Sequence, residues 1–396
     1  MPAHDQLRHL EDPVASDLHR PHGSRAAHRD ERLICVDVLR CAAALLVVWF
    51  HLAYWSWAAP STAQLMSGGV LKFPEVAWSA ACGWVGVHLF FVISGLVVMQ
   101  TATGRTATIF ARARFLRLFP TALICATIAL LVAASVGVLP LKELLLRYAR
   151  SVLFIPWGPW IDGVYWTLGV ELAFYLVVAV ALACKLPPER IELLLIAGGC
   201  AIVLMWSVGV SPYEGVDPRT ADLTLMHHGQ FFAVGCLLAR VHRQGWSPTL
   251  ALVALLLGFG CVLEILHNPA KAVVPAALVW IAGMLFLVVA LHYEDTVAKR
   301  LHGWRRQIAL AGVATYPLYL LHDVSGAALM RLLAYLEVPR FFALAAAIVA
   351  AIAGSYAVVL FVEPRIRERI AAVVSGRSGT GLVSISKIVG KPMPVR

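Results

Sequence analysis

Residues 40–51 read Arg-Cys-Ala-Ala-Ala-Leu-Leu-Val-Val-Trp-Phe-His, an apolar run with a polar side chain at each end. They lie within a longer apolar stretch, about 34–57, long enough to cross a bilayer as a helix. Charged and titratable groups inside such a helix are expensive and usually functional. A helix turns about 100° per residue, so eleven steps bring Arg40 and His51 to within about 20° of each other, roughly 16 Å apart along the axis. Ala44 and Val47 share that stripe, and Ala44 is small enough to let a neighbour approach. A snorkelling arginine or a satisfied core histidine would explain either residue alone. The pair on one face points to a function.

The rest of the chain has the same character. Of its 396 residues 60% are hydrophobic and 14% charged, with a mean hydropathy of +0.77. Soluble proteins are about half apolar and a quarter charged. The chain is therefore read as an all-α polytopic membrane protein. Apolar runs fall at about 34–57, 80–101, 118–139, 163–184, 191–210, 224–239, 249–267, 274–292, 309–330 and 341–362, which predicts about ten helices. Residues 1–32 are polar, rich in His and Arg, and read as a disordered basic cytoplasmic extension. Residues 33–366 form the membrane domain, and 367–396 a short basic tail. The first helix is expected to be retained, because its charged leader is too long for a signal peptide.

The net charge of +10 could suggest nucleic acid, but its placement argues for membrane orientation. With the N-terminus cytoplasmic, inside segments carry 24 of the 33 Lys and Arg and outside segments eight, Arg40 being within a helix. This agrees with the positive-inside rule and puts both termini in the cytoplasm. The segment with Lys142, Arg147 and Arg150 fits least well. The aromatic run Phe154–Trp160 suits an outer interface. Eight cysteines, each in or beside an apolar run and none in a CxxC pair, indicate neither a disulfide framework nor a zinc site.

Depth counting at 1.5 Å per residue places His51 about 8–9 Å from the outer end of its helix, and His88, Glu171 and His322 each about 12 Å from theirs. Asp323 lies beside His322. These groups from four helices are expected to share one outer layer, where a carboxylate could orient an imidazole. The alternative is that each is satisfied separately. On the inner side, Arg105, Arg112, Arg114 and Arg117 fall between helices 2 and 3. Arg114 and Arg117 would point the same way on a helix, and guanidinium groups bind phosphate well, though anchoring alone would also account for them. No nucleotide-binding glycine fingerprint occurs. Adjacent His227–His228 lacks the i, i+4 spacing of a helical metal site and is read as structural, and no metal is expected. Gly83, Gly86 and Gly95 are read as packing positions.

Six stretches, taken together, resemble the acyltransferase-3 family of integral membrane acyltransferases. They are Arg40-x10-His51, GWVGVHLFFVISG (83–95), RFLRLFP (114–120), WTLGVELAFYL (166–176), YPLYLLH (316–322) and Glu363–Pro364. They occur in the family's order over residues 33–366. The resemblance implies a roughly ten-helix fold and transfer of an acyl group, commonly acetyl from acetyl-CoA, to a hydroxyl of a carbohydrate or other envelope or secreted molecule. It implies His51 as general base, Arg40 as its required partner, Arg114 and Arg117 as contacts of the CoA phosphates, and Glu171 as an acid–base or orienting group. His88 stands where the family has an acidic or polar residue, and Thr167 where it has serine.

The expected mechanism has His51 take the proton of an acceptor hydroxyl while a cytoplasmic donor threads its thioester up to the outer layer. A covalent acyl-histidine is a variant that stays open. The expected partners are an acyl-CoA, a carbohydrate or glycolipid acceptor and the lipid bilayer, in the cytoplasmic membrane of a bacterium. A proton-coupled transporter is the rival from another class, but no clear repeat or pair of broken helices supports it. A succinyl-CoA or other acyl-CoA enzyme is the rival within the family.

Overall fold

The computed structural model describes residues 33–208 and 215–374. The expected extension 1–32 and most of the expected tail lie outside the described residues. Among the described residues there is no strand, and ten helices have sixteen residues or more. They are α1 Ile34–Phe50, α2 Gly86–Ala102, α3 Ala107–Val136, α4 Trp166–Ala183, α5 Pro188–Ser207, α6 Gly229–Gln244, α7 Pro248–His267, α8 Val273–His292, α9 Arg305–Tyr335 and α10 Arg340–Ala357. They answer one for one to the ten apolar runs.

Eight spans are long and apolar enough to cross a membrane; α6 and α9 are the exceptions. α6 has only 16 residues, and every residue from Gln230 to Ala239 is buried. α9 buries every residue from Pro317 to Val324, His322 and Asp323 among them. α6 is too short to count as a span, and a helix enclosed by protein can carry polar groups such as His322 and Asp323 that a lipid-facing one could not.

Two boundaries differ from expectation. α3 begins eleven residues before the predicted start at 118, so Arg112, Arg114 and Arg117 ride on its first turns rather than in a loop. Thr106 caps it by accepting from the Ile109 N–H, and no breaker intervenes before Pro120. At the far end, a π turn Val358–Val362 leads into a helix Glu363–Val374, with Pro364 tolerated near its start. The helical run therefore continues through Glu363–Pro364 instead of ending there. The Lys142–Arg150 segment is a helix, Leu141–Val152, with Leu141, Leu145 and Leu146 exposed. That pattern suits a helix lying in the membrane interface, which explains its poor fit to a simple charge rule.

Small residues set the closest approaches. A Cβ on Gly95 of α2 would lie 2.1 Å from the Phe232 carbonyl oxygen, and one on Gly235 of α6 2.0 Å from that of Val92. The two backbones touch there, as in other small-residue helix pairs. Gly83 and Gly86 similarly meet the Leu46 and Ala43 carbonyls of α1. Beside the α2–α6 crossing, Phe91, Phe232 and Phe174 stack with centroids 4.8 and 4.3 Å apart. Buried Glu192 of α5 pairs with Arg240 at 3.1 Å and with Arg243, tying α5 to α6. All eight cysteines are free thiols.

Candidate functional site

α1 stops at Phe50, and His51 opens a π turn, His51–Trp55. Such turns are rare and frequently functional. His51 Nδ1 lies 3.1 Å from His322 Nε2 of α9, with ring centroids 4.9 Å apart and planes at 68°. It also lies 2.9 Å from the Val47 carbonyl oxygen, while His322 Nδ1 lies 3.1 Å from that of Leu318. A carbonyl oxygen only accepts, so the partners assign the hydrogen to Nδ1 in both neutral rings. His322 Nε2 is then a lone pair that accepts from His51 Nδ1–H. His51 Nε2 keeps its own lone pair. His322 is fully buried and His51 half-buried, so His322 is the holder and His51 the ring that can be reached. An imidazole held this way can act as a general base.

Asp162 enters this neighbourhood without having been singled out from sequence. Fully buried, it accepts from the Val164 and Val324 N–H groups, each at 3.1 Å, and so fastens the entry to α4 onto α9 just past His322. Asp323 is buried beside it. The available signal was a carboxylate one residue ahead of a short helix, Gly163–Tyr165, where an N-cap is expected. Thr167 keeps the hydroxyl of the usual serine and meets the Tyr319 hydroxyl at 3.0 Å.

The inner arginines gather a second group, and Glu171 belongs to it. Glu171 accepts from Ser94 Oγ at 2.8 Å and from the Tyr175 hydroxyl. The Arg114 guanidinium sits 5.2 Å from the ring centres of Phe110 and Tyr175 and donates to Thr101. Its buried Nε has no hydrogen-bond partner. Arg117 interacts electrostatically with Tyr175 and Glu171. Ser94 lies six residues beyond His88 on α2, about 9 Å deeper. Arg40 forms an ion pair with Asp37 at 3.0 Å, three turns of helix away from His51. The single layer predicted from depth thus resolves into separate groups, because depth says nothing of the direction a side chain faces.

His88 joins a third group with His228 and Glu264. Its Nε2 lies 3.8 Å from Glu264 Oε1, and its ring centroid 5.5 Å from that of His228. His227 and His228, read as merely structural, both reach Asp222, at 2.9 and 3.4 Å. Burial opposes the Asp222 carboxylate, but the histidine hydrogen bonds outweigh it and hold the group well below the usual carboxylate range.

The comparisons agree with the motif reading. The family model for the acyltransferase domain of the acyltransferase-3 family matches residues 33–360, from the start of α1 into the final π turn. No curated protein and no solved structure matches the chain. With a match over most of its length and an all-helical fold of membrane-spanning helices, the chain belongs to the acyltransferase-3 family and is an integral-membrane acyltransferase.

Proposed function

We propose that this acyltransferase moves an acetyl group from acetyl-CoA to a hydroxyl of a carbohydrate, such as an O-antigen, exopolysaccharide or lipo-oligosaccharide, in the cytoplasmic membrane of a bacterium. The observation that carries the reading is the His51–His322 pair. With Nδ1–H of His51 engaged by Val47 and His322, Nε2 is the basic atom. It takes the proton of the acceptor hydroxyl as the oxygen attacks the thioester carbonyl. The carbon–sulfur bond then breaks, and the CoA sulfur leaves with the proton returned from His51. Two neutral, carbonyl-anchored imidazoles need no charged partner at rest, which suits a site inside a membrane.

Arg114 and Arg117 would receive the CoA phosphates from the cytoplasmic side. Arg114 carries one unsatisfied N–H and a planar fork suited to phosphate. Glu171, hydrogen-bonded to Tyr175 beside that fork, orients the arginine group in this reading rather than serving His51. Arg40, paired with Asp37, supports the same inner end.

The test is turnover of isotope-labelled acetyl-CoA by purified protein in liposomes, with envelope glycan extract as acceptor and His51→Ala alongside. Label in glycan only with the intact histidine supports the reading. Label moved equally by the variant overturns the mechanism. Transfer only from succinyl-CoA or another thioester would change the donor and keep the chemistry.

A further inference from the structure

His88, His228 and Glu264 belong to three different helices or helix ends, and nothing in the transfer mechanism uses them. His88 is 4% exposed, and neither ring nitrogen has a hydrogen-bond partner. Burying an imidazole so costs free energy unless something completes it. The three side chains offer ligand atoms that all lie within 4.8 Å of one another. Glu264 Oε1 is 3.0 Å from His228 Nδ1 and 3.8 Å from His88 Nε2. Ligands of a tetrahedral zinc ion sit about 2.0–2.1 Å from the metal and so about 3.3 Å from each other. The two spacings to Glu264 lie on either side of that edge.

We propose that His88, His228 and Glu264 bind a divalent transition-metal ion of the zinc class, through two imidazole nitrogens and one carboxylate oxygen. Two histidines and a glutamate are a borderline ligand set that favours such an ion over calcium or magnesium.

The surroundings match what metal-ligating groups need behind them. With His228 Nδ1 turned to the ion, its Nε2–H faces Asp222 Oδ1 at 3.4 Å. Asp222 is in turn held by His227 at 2.9 Å and Arg219 at 3.5 Å. The second oxygen of Glu264 accepts from the Gln230 amide. Each ligand but His88 is therefore oriented by a protein partner, and His88 is fixed by rings, with Phe231 at 4.5 Å and Trp84 at 5.2 Å. Three protein ligands leave a fourth position for water. Adjacent His227–His228 fails the helical spacing rule because only one of them ligates, and the other ligands come from distant segments.

The test uses full-length protein without a histidine tag, with His4, His9, His19, His22 and His28 changed to Gln so that the N-terminal histidines cannot bind metal. Metal content is measured after stripping with a chelator, reloading with zinc and desalting. One zinc per chain, falling at least tenfold in His88→Phe and Glu264→Gln while Glu75→Gln keeps it, supports the site. No retained zinc in the parent, or full retention in both variants, overturns it. X-ray absorption of the zinc-loaded parent reads the ligand types without relying on any variant's folding. Imidazole and oxygen scattering supports the assignment, and sulfur ligands overturn it in favour of cysteine.

Discussion

Replacing Gly235 by alanine tests the backbone crossing of α2 and α6 directly. The added Cβ would lie 2.0 Å from the Val92 carbonyl oxygen and 2.6 Å from the Leu96 nitrogen. Both are main-chain atoms within a helix, so neither can swing away. Reaching an ordinary contact of about 3.4 Å requires the helices to part by about 1.4 Å, which loosens the Phe91–Phe232–Phe174 stack beside them. Overpacking costs about 1–3 kcal/mol, and a rigid backbone neighbour puts this case near about 3. The alanine returns about 0.5–1 kcal/mol of helix propensity, leaving a net loss of about 2 kcal/mol. Gly258 of α7 is the internal control, because a Cβ there meets nothing within 4 Å. Gly258→Ala should be neutral or slightly stabilising. The assay is reversible unfolding in mixed micelles of rising SDS fraction, followed by tryptophan fluorescence. Gly95→Ala should lose a similar amount, and the double variant less than the sum, since the crossing has already opened. A Gly235→Ala protein as stable as its parent would refute the crossing.

Other outcomes follow from the same geometry. Removing the base in His51→Ala should lower acyl transfer by at least about 10²–10⁴-fold. His322→Phe should lower it only about 2–13-fold, the worth of one neutral hydrogen bond, because Val47 still holds the His51 ring; equal losses in liposome turnover would make His322 the reacting group. Asp162→Ala leaves two buried N–H groups without acceptors and should cost about 2–6 kcal/mol in the same unfolding assay, with Asp162→Asn losing about half. Glu192→Ala strands Arg240 and Arg243 and should cost about 3–5 kcal/mol, while Glu189→Ala, at the exposed start of α5, should cost under about 0.5.

The spans were legible because lipid imposes a simple demand on sequence, long apolar runs, and α1 to α10 all answer to one. The packing role of Gly83, Gly86 and Gly95 was legible for the same reason, but Gly235, which meets Gly95 across the α2–α6 crossing, was not. His51 and Arg40 stood out as polar groups where polar groups are expensive. His322 was expected in the same layer as His51 but not as its direct contact, and Asp37 beside Arg40 went unremarked. His322 meets His51 across 271 positions of chain, and no periodicity reports which way a helix is turned. Glu171 was placed at a reasonable depth and assigned the wrong neighbours on that count alone. Asp162 sat beside an aromatic loop, where its local N-cap bond to Val164 was legible but its bond to Val324 of α9 was not. Glu264 and Asp222 were passed over because their meaning lies in the histidines that the fold brings to them.

The enclosure of α6 and α9 bears on how the orientation of the chain is drawn. Helix length and hydropathy together single out eight spans, an even number like ten, so both counts return the two chain ends to one face. Between α5 and α10, however, the two drawings are mirror images. The eight-span version turns α7 and α8 upside down, putting the Asn268–Lys271 turn on the same face as the chain ends. It also sends Lys299, Arg300, Arg305 and Arg306 to the opposite face, against the positive-inside bias. The helices that are hardest to see are the ones that carry His228 and His322, so an error in the count would also place the chemistry on the wrong side of the membrane.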